Sequence, residues 1–96
     1  MLTININHIR CETMTLLHIE PYLRNYPFLE VLPKGQFGKF IYILDKDWYA
    51  EFIQDEDSKL PADLVHCLNF ALKYKCNILC LDPNADIVDE LYVYDD

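Results

Sequence analysis

The stretch from Leu60 to Leu81 constrains the fold more than any other part of the chain. Pro61 suits the first position of a helix, Asp63 complements the positive end of its dipole, and Lys73 and Lys75 complement the negative end. Leu64, Cys67, Leu68, Ala71 and Leu72 recur at helical spacing, which predicts a helix over 61–75 with one apolar face. An apolar run, Cys76-Asn77-Ile78-Leu79-Cys80-Leu81, follows at once and is predicted to be a short central strand.

Other segments supply a sheet for that helix to cover. Ile4 and Ile6 alternate with Asn5 and Asn7, predicting a half-buried strand over residues 3–8. Leu16, Ile19 and Leu23 share one helical face, with Thr13 as an N-cap, so a helix is expected near 13–24, kinked or broken at Pro21. Residues 28–33 and 37–44 are β-rich and flank Pro33-Lys34-Gly35-Gln36, the pattern of a hairpin, and Gly38 suggests a bulge. Trp48, Tyr49, Phe52 and Ile53, behind an Asp45 or Asp47 cap, favour a short helix over 45–54, with a strand as the alternative. Asp55 to Ser58 form a solvated loop, residues 82–86 are turn material, and Leu91-Tyr92-Val93-Tyr94 is expected to be a last strand. The order is β-α-β-β-(α)-α-β-β. It predicts one α+β domain over 1–96: a small antiparallel sheet with two main helices packed on one face.

Composition narrows the function. The 96 residues are 52% hydrophobic, enough for a core in a domain of this size. The N-terminus lacks the pattern of a secretory signal, and no apolar stretch reaches the length of a membrane span. Cys11, Cys67, Cys76 and Cys80 are therefore expected to be reduced thiols in a cytoplasmic protein. Charge is unevenly placed. Residues 1–44 carry four bases against three acids, whereas residues 45–96 carry thirteen acids against four bases. Such a surface argues against direct binding to nucleic acid or to anionic membrane and favours a basic protein partner.

Chemistry-bearing motifs are weak. Cys76 and Cys80, with His66 and Cys67 near in sequence, have the wrong spacing for a zinc knuckle and fit core thiols. Asp82-x-Asn84-x-Asp86 copies the start of a calcium loop, but Ile87 stands where glycine is needed and Val93 where the bidentate glutamate belongs. With only Gly35 and Gly38 there is no glycine-rich phosphate loop and no nucleophile elbow. Neither enzyme activity nor a cofactor is expected. The stronger lead is acid interleaved with aromatic: Asp45, Asp47, Trp48, Glu51, Asp55, Glu56 and Asp57 in one stretch, Tyr92, Tyr94, Asp95 and Asp96 in another. Aromatics anchor interfaces, and carboxylates present a phosphate-like field to a basic groove.

Leu60-Pro61-Ala62-Asp63-Leu64, then Cys76-Asn77-x-Leu79-Cys80-Leu81-Asp82, then Tyr94-Asp95, resembles small plasmid- and prophage-borne domains of unknown function. Those domains carry a Leu-Pro-x-Asp-Leu helix, a Cys-Asp-x-Leu-x-Leu-Asp strand and a terminal Tyr-Asp-Trp. Asn77 and Asp96 depart from that pattern. The resemblance implies a mobile-element setting, where small acidic proteins inhibit host defence as anti-CRISPR or anti-restriction proteins. A CRISPR effector or a restriction enzyme subunit is then the expected partner, met as a nucleic-acid mimic. A general interaction module, alone or as a homo-oligomer, is the alternative, and a small cysteine- or metal-dependent enzyme is a third.

Overall fold

The computed structural model describes residues 1–19, 26–55 and 59–94. Its strands are β1 (Leu2–Asn5), β2 (Leu29–Lys34), β3 (Gly38–Ile43) and β4 (Ile78–Asp82). Its helices among the described residues are α1 (Cys11–His18), α2 (Lys46–Ile53) and α3 (Ala62–Lys73), and a 3-10 turn occupies Ile6–His8. The chain is α+β, as its patterning predicts.

The sheet is mixed rather than purely antiparallel. Its order is β1-β4-β3-β2, with β1 parallel to β4 and the other pairs antiparallel. Register assigns each side chain to a face. Ile4, Leu29, Ile41, Ile43, Leu79 and Leu81 point one way and are buried with Leu64, Cys67, Leu68 and Ala71 of α3, Leu17 of α1 and Tyr49 of α2. All three helices therefore share one side of the sheet. Each core side chain of this size contributes about 1.5–3 kcal/mol by leaving water.

The expected final strand at 91–94 does not form. Residues 83–94 instead run as an irregular strap beside the start of the chain. Asn5 Nδ2 donates to Pro83 O at 3.3 Å and Ala85 O at 2.8 Å, and the Tyr94 N–H donates to Asn7 O at 2.8 Å. Isolated side-chain and backbone hydrogen bonds thus hold the segment in place of a ladder.

The first helix starts two residues before Thr13, so Thr13 is not its cap. The Asp63 carboxylate, from the first turn of α3, accepts the Arg10 N–H at 2.8 Å and the Thr13 hydroxyl at 3.0 Å. A buried acid from a distant helix thus anchors the residue at which the helix begins and the Thr13 side chain on its first turn. The inward face is Thr13 and Leu17, one turn apart, while Ile19 is exposed. Pro21 and Leu23 lie outside the described residues.

The hairpin forms as expected, with Gly35 at φ +62° in its turn. Gly38 pairs in register with Lys34 and makes no bulge. A Cβ there would stand 2.6 Å from Leu81 O and 2.9 Å from Lys34 O, so close backbone approach is what requires glycine. Lys34 reaches across this gap to Asp82 Oδ2 at 2.7 Å. The pairing raises the Lys34 ammonium above its ordinary value, while Lys34 and the Asn84 amide hold Asp82 below the usual carboxylate range.

Leu68 is fully buried at the centre of the α3 face. Leu68→Ala should lower the unfolding free energy by about 2–5 kcal/mol, read from urea denaturation. A midpoint equal to the wild type would remove α3 from the core.

Candidate protein-interaction site

The described residues of the two acidic-aromatic stretches do different jobs. Asp45 is the N-cap of α2: its Oδ1 accepts the N–H groups of Asp47 at 3.1 Å and Trp48 at 3.0 Å. The helix over 46–53 follows from that cap and from Tyr49, Phe52 and Ile53 on one side. Tyr49 is fully buried, and its hydroxyl donates to Asn69 Oδ1 of α3 at 2.8 Å. Burial raises the Tyr49 phenol well above its ordinary value, so it stays a neutral donor.

The opposite side of α2 is acidic. Asp47, Glu51 and Asp55 follow at intervals of four and are exposed. Asp55 continues this row past the helix end, its N–H donating to Phe52 O at 3.2 Å. Trp48 flanks the row, 48% exposed, with its ring 5.6 Å from that of Phe28. Phe28 in turn packs on Phe52 at 5.1 Å and Tyr49 at 6.1 Å, so the tryptophan rests on a core aromatic cluster. A half-exposed ring on a rigid base is a ready anchor, because little rotamer freedom remains to be lost on binding.

The second stretch is positioned by His8, which sequence reading passed over. Its imidazole is 1% exposed and both nitrogens are used: Nε2 accepts the Val88 N–H at 2.9 Å, and Nδ1 lies 2.8 Å from Tyr92 O. An amide donor on one side and a carbonyl on the other fix the neutral Nδ1–H tautomer. His8 so presents Tyr92, 71% exposed, and Tyr94, whose rings lie 4.7 Å apart. Arg10, paired with Glu12 at 3.0 Å, stands over Tyr94 at 5.9 Å. Partial burial and the nearby Asp63 carboxylate raise the Tyr94 phenol. Glu56, Asp57, Asp95 and Asp96 lie outside the described residues.

The candidate ligand sets have other occupations. Asp82 gives Oδ1 to the Asn84 N–H and Oδ2 to Lys34, so its calcium-loop position is an Asx turn closed by an ion pair. Cys67 is buried in the core, its thiol donating to His8 O at 3.6 Å, and burial, then Asp63, pushes its pKa up to about 12. Cys80 is buried on the other side of the sheet. Cys76 precedes β4 instead of sharing a strand face with it, and lines a hollow of about 730 Å³ with Lys46 and Lys75. All four thiols are free. Among the described residues no group of three or more His, Cys, Asp or Glu is arranged to hold a metal ion. No helix among them is long and apolar enough to cross a membrane.

Two substitutions separate framework from surface. Asp45→Ala should cost about 1 kcal/mol of stability through loss of the α2 cap, while Asp47→Asn leaves thermal unfolding unchanged. Equal effects of the two would show that Asp45 is not acting as a cap. His8→Phe should speed amide exchange at Val88 and Tyr94 while the amides of β4 keep their protection relative to global unfolding. Unchanged exchange at both strap amides would contradict the role given to the ring.

Neither a curated protein nor a solved structure matches the chain. A family comparison does: residues 1–96 match the family described as "Family of unknown function (DUF5983) C-terminal domain", and the chain belongs to that family.

Proposed function

We propose that the domain is a non-enzymatic binding protein whose acidic α2 face docks on a cationic groove of a nucleic-acid-handling host protein. The observation that carries this reading is the row Asp47, Glu51 and Asp55 beside the half-exposed Trp48. Carboxylates one helical turn apart offer the field of successive phosphates, and the indole supplies the apolar anchor that charge alone lacks. The resemblance to mobile-element domains makes the partner a CRISPR effector or a restriction enzyme subunit, inhibited by occupation of its nucleic-acid site. A cytoplasmic setting fits the four free thiols. The non-enzymatic part of the reading is supported by His8, Asp63 and Asp82, whose polar atoms are already engaged in hydrogen bonds that hold the fold.

The test is capture of partners from host extract, followed by binding kinetics across a salt series. Association should slow as salt rises, because charges are screened beyond about 8 Å at physiological ionic strength. A triple variant, Asp47→Asn with Glu51→Gln and Asp55→Asn, should associate about tenfold more slowly and show a flatter salt dependence. Its stability should change by no more than about 0.5 kcal/mol. Partners without a cationic nucleic-acid groove, or a triple variant with wild-type association, would overturn the proposal.

A further inference from the structure

The side of the sheet facing away from the helices bears three rows of side chains. Register places Glu30, Tyr42 and Ile78 in one row and Leu32, Phe40, Cys80 and Thr3 in the next. Lys34, Gly38 and Asp82 form the third. No described helix packs here: the core shared with the helices draws its sheet residues from the opposite face. Leu32 is 42% exposed, Phe37 in the adjoining turn is 60% exposed, and Phe40, Tyr42 and Ile78 are partly exposed.

We propose that this face packs on the same face of a second copy, about a two-fold axis crossing the strands at Leu32 and Phe40. Charge selects the occupant. The chain carries −8 overall, yet the ionised groups in these rows are Glu30 and the Lys34–Asp82 pair, joined at 2.7 Å. Two like-charged copies meet little repulsion between these rows. The rows are also self-complementary. The axis sets Leu32 on Leu32 and Phe40 on Phe40, and it brings Glu30 opposite Lys34, four residues along β2. The same rotation sets Tyr42 above the row holding Gly38.

Edge pairing through β2, another common route for a sheet, is blunted. Leu44 N–H bonds Phe28 O, so by alternation Leu29, Val31 and Pro33 turn their main-chain groups outward. The Leu29 N–H is already given to Tyr26 O at 2.9 Å, and Pro33 has none. Area sets the strength. Four strands about 4.8 Å apart and four to six residues long, at about 3.3 Å each, span roughly 19 Å by 17 Å. Two such studded faces remove on the order of 1,000 Å², the low end for a specific interface, so the dimer is weak.

Sedimentation equilibrium of the full chain from about 10 μM to about 1 mM covers the range an interface of this size requires. The weight-average mass should rise from monomer toward dimer. Added salt should favour the dimer by screening the mutual repulsion, opposite to its effect on a cationic partner, so this idea and the α2 reading fail separately. Leu32→Glu should weaken dimerisation about tenfold or more, with thermal unfolding of the dilute protein unchanged. Should Leu32→Glu also lower the melting temperature, Glu30→Lys, which sets like charges opposite Lys34, decides by the same loss. A wild type that stays monomeric throughout, a dimer that salt dissociates, or one that survives Glu30→Lys would each overturn the proposal.

Discussion

The parallel pairing of β1 with β4 is the constraint on which the remaining architecture depends. It matches Leu2 to Asn5 with Leu79 to Asp82, so the first and last strands exit at the same end of the sheet. The 3-10 turn that follows β1 and the strap that follows β4 are therefore neighbours before either forms a bond. Asn5, Asn7 and His8 find their partners in Pro83, Ala85, Val88, Tyr92 and Tyr94 for this reason. An antiparallel pairing would have sent the strap to the opposite end and left a buried imidazole without partners, a cost of about 1–3 kcal/mol for each orphaned polar group. Parallel strands also need a long crossover, and here the crossover contains the hairpin and all the described helices.

Much of this architecture is legible in local pattern. The α3 stripe, the hairpin with Gly35 in its turn and the short aromatic helix all follow from periodicity and turn chemistry, because each is decided by neighbours in sequence. The features that escape local reading are those set by distant groups. Thr13 has the composition of an N-cap, but the carboxylate of Asp63, fifty residues on, lets the helix begin earlier. Leu91 to Tyr94 alternate like a strand, yet the strap is bonded to Asn7 and His8, whose only sequence signal is a polar Asn-x-Asn-His run closing a buried strand. The parallel register is invisible for the same reason, since alternation in residues 3–8 says that a face is buried and nothing about the neighbour.

The candidate site divides along the same line. Listing acids and aromatics does not tell a helix cap from an exposed carboxylate. Asp45 spends its carboxylate on two helix N–H groups, whereas Asp47 and Glu51 are exposed on the turns that follow. Tyr49 and Trp48 are adjacent in sequence and differ completely in environment, one sealed against α3 and the other half in water. A helix puts successive residues about 100° apart, so a one-residue step separates core from surface. The spacing of Trp48, Tyr49, Phe52 and Ile53 predicts the helix, but only the position of Phe28 shows that Trp48 has a platform beneath it.

The distribution of charge follows from the layering. Helices cover one side of the sheet and must present polar faces to water, so most acids of the second half lie on helices or connections. The side that no described helix covers is different: strands that bury alternate residues leave few positions there, and Gly38 fixes what those positions hold. Without a Cβ at 38, β3 lies close against Leu81 O and Lys34 can cross to Asp82, neutralising the acid that ends β4. A larger residue would part that contact and leave Asp82 facing outward without its cation. The glycine thereby separates a strongly acidic helical side from a nearly neutral sheet side within one small domain. Each side suits a different kind of encounter: charge attracts an unlike partner over a distance, while the neutral face rewards only close packing. Because the two lie on opposite sides of the sheet, occupying one leaves the other open.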